Sequence, residues 1–416
     1  MYDVIIIGAG AAGMMAAGVA AREGRKVLVV EKMEKAGRKV RITGKGRCNL
    51  TNTKPREDFL SHVRANADFF APSFRDFDNK AVFTFFRKQG VKLVEERGDR
   101  VYPESGKAWD IADALADWAK DEGDSEIMFN TRVTDIITVA GRVRGVRILT
   151  KKGYPRNLEA ENVIIATGGV SYPSTGSTGD GYQFAHTLGH GIEEVRPALV
   201  PLESDSPAVK ELTGVHLKNV SVRLLVDGET VQEEFGEMDF RGRGLDGAVI
   251  LRVSRNAVDA LIEEKTVEII IDLKSALTEE MLIARMDREI AELPEDGTFG
   301  ELMRKLLPRP MVAPFADMMG IQLKTYVSRL TDEQKTALAR LLKEWRLPVS
   351  DYRPFEEAVV TAGGVEVGQV DPETLQSRLV KGLYFAGEVL DIDGDTGGYN
   401  LQIAFSTGHL AGRLKK

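Results

Sequence analysis

The sequence of 416 residues contains a single cysteine, Cys48, and it has no excess of positive charge. One cysteine excludes a disulfide within the chain, which is typical of proteins in the reducing cytoplasm, and we expect a cytoplasmic protein. The 56 lysines and arginines are outnumbered by 63 aspartates and glutamates, so the formal net charge is −7. Because nucleic acids and anionic membranes both require a basic binding face, we expect neither as a partner.

Long apolar runs are equally scarce, and only Val4–Ala21 approaches the length of a membrane span. Asp3 precedes this run, no basic segment does, and the glycines Gly8, Gly10 and Gly13 interrupt it. A signal peptide begins with basic residues, whereas this glycine spacing is typical of a turn between a strand and a helix. We therefore expect a buried strand, a turn and a helix here, and no association with a membrane.

Metal-binding patterns are also missing from the sequence. His186 and His190 lie one helical turn apart without a third ligand at a suitable spacing, which favours surface or packing roles over a metal site. Asp391, Asp393 and Asp395 resemble the start of a calcium loop, but the glycine and the terminal glutamate of that motif are missing at the required spacing. The sequence therefore predicts no bound metal.

The N-terminal segment has the pattern of a dinucleotide-binding unit. The β-branched run Tyr2–Ile7 predicts a strand buried on both faces of a parallel sheet, and a helix is expected over Met14–Glu23. Lys26–Val30 predicts a second strand, directly followed by Glu31. Between the first strand and the helix lies the motif Gly-Ala-Gly-Ala-Ala-Gly, residues 8–13. Strand, glycine turn, helix, strand and acidic residue in this order predict dinucleotide binding.

Each residue of this motif has a physical role. Gly8 permits a tight turn, Gly10 lets the backbone approach a pyrophosphate, and Gly13 allows close packing of helix on strand. The helix start presents unpaired N–H groups and a positive dipole end to the phosphates. Glu31 is placed to accept hydrogen bonds from a ribose diol and disfavours a 2′-phosphate. The expected cofactor contacts here are Gly8, Gly10, Ala11, Ala12, Gly13 and Glu31.

The next stretch, Gly37–Asn52, mixes glycines and small polar side chains with cations. This composition indicates a loop that wraps an anionic ligand, rather than a further crossover helix, and it favours the flavin dinucleotide FAD over NAD as the cofactor. Cys48 within it is expected to be a small packing residue, with a redox or flavin-linking role as the alternative. The cofactor-binding residues expected from this stretch and its surroundings are Lys32, Arg38, Lys39, Gly44, Gly46, Arg47, Cys48, Asn49, Thr51, Asn52 and Val133.

Two later strands also end in small residues. Val163–Gly169 predicts a buried strand whose carboxyl end meets the ligand, so Ala166, Thr167, Gly168 and Gly169 are assigned to the site. A helix is expected from about Tyr182 to Leu188. Asp180 before it is either the N-cap of that helix or a group near the flavin.

The C-terminal segment predicts another ligand-facing helix start. Gly382–Glu388 predicts a final strand and turn, and an acidic, glycine-rich loop leads into a helix over Leu401–Leu410. A helix start aimed at N1 and O2 of a flavin stabilises the charge that gathers there on reduction. We assign Gly387, Glu388, Gly398, Asn400, Leu401 and Gln402 to the cofactor site, and we expect Gly10 and Asn400 to border one cleft.

These motifs together resemble one family. The Gly8-x-Gly10-x-x-Gly13 turn, GKGRCNLTN at 44–52, ATGG at 166–169, TGDG at 178–181 and GGYNLQ at 397–402 are similar to those of the BaiN/YhiN-like flavoproteins, also described as NAD(FAD)-utilising dehydrogenases. The resemblance spans nearly the whole chain. It implies an α/β fold with a Rossmann-like FAD-binding domain of the glutathione and fumarate reductase type.

The resemblance also implies a three-domain plan. A discontinuous FAD-binding domain would cover 1–192 and 363–416, a β-rich substrate domain 193–273 and 346–362, and a small helical insert domain 274–345. Strand-like runs such as Val220–Val226 and Thr266–Asp272 agree with this plan. One departure is at Phe240–Ala248, which lacks the family's Thr-His and Gly-x-Ser-Gly-Pro pattern. Arg241 and Arg243 in this segment either meet an anionic substrate or are solvated.

The sequence therefore favours an FAD-dependent oxidoreductase. Hydride would pass between a carbon of a small organic substrate and flavin N5. Glu388, Asp391 and Tyr399 are the candidate catalytic residues because they lie in the loop expected to face the flavin. No second glycine-turn unit follows the first, so NAD(P)H is expected only as a transiently docking co-substrate.

Three alternatives stay open. One is an oxidase of a small amine or amino compound that uses oxygen. Another is a non-catalytic or RNA-modifying flavoprotein, which the absence of a basic stripe disfavours. The third is a plain NAD-dependent dehydrogenase, which leaves the GGYNLQ helix unexplained.

Overall fold

The computed structural model describes residues 1–415. It divides the chain into two compact units: Met1–Pro197 together with the chain from Phe355 onward, and Ala198–Pro354. The first unit contains all the residues expected to bind the cofactor. The finer three-domain division, with its boundaries, stays a prediction.

The strands and helices below are numbered in chain order. The strands are β1 (Tyr2–Ile7), β2 (Lys26–Val30), β3 (Thr51–Asn52), β4 (Leu93–Glu96), β5 (Arg100–Pro103), β6 (Asp124–Met128), β7 (Thr131–Val139), β8 (Arg142–Thr150), β9 (Pro155–Ile165), β10 (Ile192–Ala198), β11 (Leu202–Glu203), β12 (His216–Val226), β13 (Glu229–Arg241), β14 (Gly244–Asp246), β15 (Val267–Asp272), β16 (Trp345–Val349), β17 (Asp351–Tyr352), β18 (Val360–Val365) and β19 (Leu383–Phe385). The α-helices are α1 (Ala11–Arg22), α2 (Arg38–Ile42), α3 (Arg56–Leu60), α4 (Ala67–Asp76), α5 (Asn79–Lys88), α6 (Ala108–Asp121), α7 (Asp180–Thr187), α8 (Pro207–Glu211), α9 (Ala248–Ile262), α10 (Glu279–Ala291), α11 (Phe299–Leu306), α12 (Val312–Met319), α13 (Asp332–Lys343) and α14 (Tyr399–Gly412).

The main sheet of the first unit has a parallel half and an antiparallel half. Strands run in the order β6-β2-β1-β9-β8-β7, and β19 also pairs with β9. The pairs β6–β2, β2–β1, β1–β9 and β9–β19 are parallel, whereas β7–β8–β9 form an antiparallel meander. The carboxyl ends of the parallel strands meet at one edge, which is where ligands bind in such sheets. The residues that follow the ends of β1, β2, β9 and β19 are Gly8, Glu31, Ala166 and Ala386.

The strands predicted for the parallel half of the sheet are confirmed. They could be recognised because the sequence there is strongly apolar. Val4, Ile5 and Ile6 of β1 are fully buried, as expected for a strand covered on both faces. Each such side chain contributes about 1.5–3 kcal/mol relative to an exposed one. The expected bounds differ in detail, since α1 begins at Ala11 and the strand predicted to reach Gly169 ends at Ile165.

Part of the stretch expected to be a loop is helical. Residues 38–42 form the single-turn helix α2, and Thr51–Asn52 form the short strand β3. The helix begins after Gly37, whose backbone is left-handed with φ of 64°. This turn reverses the chain after β2, so the cations of α2 return towards the carboxyl edge of the sheet.

Helix α14 packs tightly along α1 and runs in the same direction. A Cβ on Gly408 would lie 2.4 Å from the Ala12 carbonyl oxygen, and one on Gly412 would lie 2.6 Å from that of Ala16. Only glycine allows this approach of the two backbones. Gly398 precedes Gly408 by ten residues, so α14 begins roughly 15 Å before the point where it passes the first turn of α1. The N-termini of α1 and α14 therefore face the same direction, and the N-terminus of α14 lies further along that direction than the N-terminus of α1.

The far ends of α4 and α14 are joined by an ionic cluster. Asp76 at the end of α4 accepts a hydrogen bond from His409 at 2.8 Å and one from Arg413. The His409 ring also stacks on Phe77, with centroids 4.4 Å apart. Burial would raise the pKa of the Asp76 carboxyl, but the His409 and Arg413 interactions hold that pKa below its usual value.

We expect Asp76→Asn to lower the free energy of unfolding by about 2 kcal/mol, since it leaves the Arg413 guanidinium and the His409 ring without their half-buried carboxylate partner. Because the pKa of Asp76 is lower in the folded state, its carboxylate stabilises the fold at pH values above the unfolded pKa of about 3.9. This contribution is lost as the pH falls through the folded-state pKa. The difference in the free energy of unfolding between the wild type and Asp76→Asn, measured by urea unfolding, should therefore become smaller in acid. Asp58→Asn is the matched control, because the Asp58–Lys54 pair is exposed and its loss should leave stability unchanged. An equal effect of both variants would contradict this assignment.

The second unit is built on an antiparallel sheet with the strand order β16-β15-β12-β13-β14-β11-β17. Strands β12 and β15 confirm the strands expected at 220–226 and 266–272. The 15-residue helix α9 was not expected within this β-rich stretch. It forms because Val249, Ile250, Val253 and Ala257 make one apolar face that is fully buried.

Helices α10–α13 follow in the region expected to be helical, 275–345. Across both units, every helix within residues 1–415 is too short or too polar to cross a bilayer.

Candidate functional site

The glycine turn after β1 has the geometry that a phosphate-binding turn requires. Gly8 has φ of 103°, and a Cβ there would lie 2.6 Å from the Ala166 carbonyl oxygen. A Cβ on Gly13 would lie 1.9 Å from the carbonyl oxygen of Gly8, so α1 packs on β1 only because Gly13 has no side chain. The space over Gly10, the residue before α1, is open. Phosphate oxygens can therefore reach the N–H groups at the helix start, including those of Ala11 and Ala12.

Glu31 lies at the end of β2 beside this turn. Its carboxylate accepts the N–H of Ala9 at 2.7 Å and that of Met33 at 2.8 Å. Burial raises the pKa of this carboxyl, although those hydrogen bonds and Lys32 oppose the rise. Each carboxylate oxygen has a further lone pair, so both remain able to accept a ribose hydroxyl.

The structure contradicts one of the two interpretations of Asp180. Gly179, not Asp180, is the N-cap of α7, and Asp180 is the first helical residue. The Asp180 carboxylate instead forms an ion pair with Lys32 at 2.8 Å. The N-cap interpretation is therefore wrong, and Asp180 joins the TGDG turn to the end of β2. Val133, predicted nearby, has its side chain buried within β7.

A half-buried ion pair connects α2 to the turn after β19. The Glu388 carboxylate accepts the Lys39 ammonium at 3.0 Å, the Thr361 N–H at 2.7 Å and the Ser171 hydroxyl at 3.0 Å. Lys39 also donates to Ser171 at 2.6 Å. Burial would raise the pKa of Glu388, but the Lys39 charge and these hydrogen bonds hold that pKa below its usual value. Glu388 is therefore ionised, and it cannot donate a proton at neutral pH.

The same turn brings the C-terminal segment to α1. A Cβ on Gly387 would lie 2.9 Å from the Cβ of Ala12, and the Gly387 N–H donates to the Thr407 hydroxyl at 2.9 Å. Gly168 lies on the other side, with its Cβ position 3.8 Å from the Glu388 carboxylate. The ATGG turn and the Gly387–Glu388 turn are therefore neighbours, and Thr167 and Gly169 belong to the same edge.

The glycine-rich loop at 44–52 contains a buried thiol. Cys48 is fully buried with φ of 59°, and burial raises the pKa of its thiol to about 12. A thiol with this pKa stays protonated, so the packing role is supported over a nucleophilic one. Gly44 and Gly46 have positive φ and form the turn before it.

The two arginines assigned to the site make ion pairs with carboxylates. Arg38 pairs with Glu34 at 2.5 Å, and Arg47 pairs with Glu96 and stacks on Tyr102. Both guanidinium groups keep solvent exposure, so either can reorient towards an anion.

The loop at 49–52 is attached to the start of α14. The Thr51 hydroxyl donates to Gln402 at 2.6 Å, and the Asn52 amide donates to the Gly397 carbonyl at 3.2 Å. Gly398 lies so close to Thr51 that a Cβ there would be 2.4 Å from its backbone. Gln402 is fully buried and also bonds to Phe77 and Ser406, so its side chain supports the helix from inside. Leu401 beside it packs against the core.

The acidic loop before α14 is held by a segment that sequence reasoning missed. Asp395 is buried and accepts hydrogen bonds from His62 at 2.8 Å and from Arg64 at 2.6 Å. Asn66 donates to the carboxylate of Asp391 at 2.9 Å. Asn400 completes the loop by bonding to both backbone groups of Gly394. Residues 62–66 carry no motif, and their partners lie far away in sequence, so local spacing cannot reveal them.

Tyr399, one of the candidate catalytic residues, is a packing residue in this arrangement. Its ring is buried between Phe59, at 4.8 Å, and His62, at 4.6 Å. Burial and the carboxylates of Asp395 and Asp58 raise the pKa of its hydroxyl. The hydroxyl is therefore a poor acid and a poor base at neutral pH.

Two other predicted features lie outside this site. His190 is buried, with one ring nitrogen 2.7 Å from the Ser377 hydroxyl, and burial lowers its pKa. Within residues 1–415, no group of three or more potential ligands is placed to hold a metal ion.

In the second unit, Arg243 pairs with Asp205 at 2.6 Å and Arg241 lies 3.8 Å from Asp246, and both arginine side chains are largely exposed. The solvated interpretation of these arginines agrees with this exposure.

The residues present fit an FAD molecule. The open space over Gly10 suits a diphosphate, and Glu31 suits a ribose.

The fold and the site together define a flavoprotein with a Rossmann-type FAD-binding domain. The family model described as "HI0933-like protein Rossmann domain" matches residues 2–414, and the chain belongs to this family. This confirms the family resemblance seen in the motifs.

Three relatives match over almost their whole length. The 3-dehydro-bile acid delta(4,6)-reductase of Clostridium scindens is 32% identical over 99% of this chain and 98% of its own. The ribosomal RNA dihydrouridine synthases of Escherichia coli and Haemophilus influenzae are 28% and 27% identical, over 98% and 97% of this chain and 96% of each relative. The protein is an FAD-dependent oxidoreductase, as predicted.

Two solved structures show the same fold. The 3-ketosteroid delta1-dehydrogenase of Sterolibacterium denitrificans covers 99% of this chain and 98% of its own, with a TM-score of 0.56 and 16% identity. The match to the 3-ketosteroid-delta4-(5alpha)-dehydrogenase of Rhodococcus jostii covers 100% of this chain and 97% of that enzyme's chain, with a TM-score of 0.53 and 16% identity.

One expectation loses its basis through these comparisons. The overall negative charge predicted that nucleic acid is not a partner, but two of the relatives are ribosomal RNA dihydrouridine synthases. Net charge describes the whole surface and does not exclude a local binding face, so this exclusion is not supported.

Proposed function

We propose that this protein reduces a carbon–carbon double bond conjugated to a carbonyl group, with NAD(P)H as the transient reductant. The observation that carries the proposal is a chemical feature shared by the relatives. The Clostridium scindens enzyme is named for reducing ring double bonds of a 3-dehydro bile acid, where the carbonyl is conjugated. Making dihydrouridine saturates the pyrimidine double bond that is conjugated to a carbonyl.

Such a reduction adds a hydride to the carbon remote from the carbonyl and a proton to the carbon beside it. Bound FAD supplies a carrier that takes hydride from NAD(P)H and gives it to the substrate. The chain binds the diphosphate at the start of α1 and the ribose at Glu31. The start of α14 stabilises negative charge at the ring end.

Glu388 has a positioning role in this proposal. Because it is ionised and bound by Lys39, Ser171 and Thr361, it orients hydroxyl groups as an acceptor instead of delivering a proton. Asp391 is bonded to Asn66, and Tyr399 is a packing residue. The proton then comes from water or from the substrate's own surroundings.

Labelled substrates test this reaction under anaerobic conditions. The holoprotein is mixed with deuterated NADH or NADPH and a 3-oxo steroid carrying a conjugated double bond, with the corresponding isolated alkene as the control. We expect one deuterium at the remote carbon of the conjugated substrate and none in the control. Reduction of neither substrate, or equal reduction of both, would contradict the proposal.

A second candidate substrate is uridine in ribosomal RNA, favoured by the two near full-length synthase relatives. It requires the same chemistry at the same site. Incubating the holoprotein and NADPH with unmodified ribosomal RNA should then add two hydrogens to specific uridines, detected by mass spectrometry of digests. RNA that stays unchanged while the steroid is reduced assigns the protein to small substrates.

A further inference from the structure

We propose that an exposed surface around Trp109 binds single-stranded RNA, with the indole ring stacking on an unpaired base and nearby lysines contacting phosphates. This surface, called the Trp109 surface below, consists of Lys35, Ile42, Lys45, Lys107 and Trp109. It serves the second candidate substrate, uridine in ribosomal RNA, and the assignment therefore rests on the proposed function.

The indole ring of Trp109 is accessible and is flanked by two cations. Trp109 lies in the first turn of α6 with 51% of its surface exposed, whereas the other two tryptophans are buried. The Arg41 guanidinium lies 4.7 Å from the ring centroid and is itself buried, so it approaches the ring from the protein interior. The Lys35 ammonium lies 4.1 Å from the centroid but is exposed, so it can rotate away and uncover the ring. The ring is therefore a platform on which any base can stack.

Two further lysines lie beside this ring. The Ala108 N–H donates to the Gly46 carbonyl at 2.8 Å, which joins the start of α6 to the glycine-rich loop and places Lys45 and Lys107 next to each other's segments. Both lysines are exposed, and neither side chain forms a hydrogen bond or an ion pair within residues 1–415. Their charges are therefore available to phosphate groups.

The carboxylates around the Trp109 surface already have partners of their own. These partners are Arg38 for Glu34, Arg47 for Glu96, Lys92 for Glu104, the Ser105 hydroxyl for Asp110 and Arg41 for Asp113. The surface is therefore locally positive although the chain as a whole is acidic. Cations around an exposed aromatic ring match a strand that offers phosphates and unstacked bases together.

The Trp109 surface adjoins the cofactor site through α2. Lys39 and Arg41 lie two residues apart on this helix, about 3 Å along its axis. Lys39 pairs with Glu388 at the carboxyl edge of the sheet, whereas Arg41 packs against Trp109. An RNA strand held at Trp109 therefore has neighbouring nucleotides within reach of the edge where the flavin binds. A uridine must be unpaired to reach that edge, which agrees with a platform for single strands.

Binding of a labelled oligonucleotide to the holoprotein provides the test. Fluorescence anisotropy measures the affinity for a uridine-rich single strand of about twelve nucleotides and for the corresponding duplex. We expect the single strand to bind at least about fivefold more tightly than the duplex, and to quench tryptophan emission, since only Trp109 among the tryptophans is exposed. Trp109→Leu should bind the single strand at least about fivefold more weakly than the wild type while retaining FAD.

Tyr326→Leu is the matched control, because Tyr326 is also an exposed aromatic residue beside an arginine, Arg329, but belongs to the second unit. Its affinity for the single strand should stay at the wild-type value. The double variant Lys45→Ser/Lys107→Ser should lower the slope of log affinity against log salt by about 1.4, since each phosphate contact on a single strand accounts for about 0.7.

Equal affinity of the wild type and Trp109→Leu for the single strand would overturn the proposal, as would an equal loss in Tyr326→Leu. Quenching by NADPH without binding of the oligonucleotide would also overturn it and assign the surface to the nucleotide co-substrate. The proposed function has a separate outcome. If the strand binds at Trp109 but ribosomal RNA gains no hydrogens, the surface is supported and uridine is excluded as the substrate.

Discussion

Gly13→Ala is expected to destabilise the FAD-binding unit by about 3 kcal/mol or more, the upper part of the range for overpacking. The added Cβ would lie 1.9 Å from the Gly8 carbonyl oxygen and 3.1 Å from its carbonyl carbon. Both are backbone atoms, and Gly8 is itself held against Ala166, so the clash cannot be relieved by rotating a side chain. Helix α1 must move away from β1. Loss of flavin should accompany the lower stability, since the helix start then no longer faces the diphosphate.

Gly10→Ala in the same motif should behave differently. Gly10 has φ of −79°, which any residue adopts, and nothing lies within 4 Å of its Cβ position. The protein should fold with nearly wild-type stability, while FAD affinity falls because the methyl group occupies the space needed by the diphosphate. Gly368→Ala, also in open space but outside the site, should change neither property.

Urea unfolding and retained flavin, measured together, separate these three outcomes. If Gly13→Ala unfolds at the wild-type midpoint, the close contact between α1 and β1 is wrong. If Gly10→Ala binds FAD as tightly as the wild type, the diphosphate does not approach the backbone there.

This contrast shows which parts of the fold the sequence can predict. The first strand, the glycine turn, α1 and β2 are recognisable because their spacing is local and each glycine has its own steric reason. The strands of the second unit follow from alternation in the same way. Helix α9 was missed because its apolar face was attributed to a β-rich stretch, although it has a helical period over 15 residues.

The site was predicted less completely than the fold, for a physical reason. Lys39 and Glu388 are 349 residues apart, and His62 and Asp395 are 333 apart. Such pairs form when the carboxyl edge of the sheet brings distant turns together, and no local pattern records which cation meets which carboxylate. Asp180 shows the same limit. Its position suggested either a helix cap or a group near the flavin, and no local pattern indicated that the folded chain places Lys32 beside it.

Lys39→Met should lower the free energy of unfolding at neutral pH by roughly 2–3 kcal/mol, because it leaves the Glu388 charge without its cation. The value lies at the low end for a buried pair, since Lys39 and Glu388 keep 26% and 20% of their side-chain surface exposed. The Thr361 N–H and the Ser171 hydroxyl remain, but neither carries a compensating charge.

The pH dependence of this loss has a definite sign. In the wild type the pKa of Glu388 is held below its usual value, so its contribution is present above the unfolded pKa of about 4.3 and is lost only as pH falls through the folded value. Without Lys39, burial dominates and raises the folded-state pKa. The penalty is then present at neutral pH and disappears as the carboxyl is protonated. Stability of Lys39→Met should therefore rise relative to the wild type between about pH 7.5 and about pH 5.

The double variant Lys39→Met/Glu388→Gln supplies the decisive comparison. It removes both charges and keeps the hydrogen-bonding shape of the side chain at 388, so it should regain most of the stability that Lys39→Met loses and show no relative gain in acid. Glu388→Gln alone should cost less than Lys39→Met, because the freed ammonium keeps Ser171 and reaches solvent. If the double variant is as unstable as Lys39→Met at both pH values, the loss arises from packing of the lysine chain and not from the unpaired carboxylate.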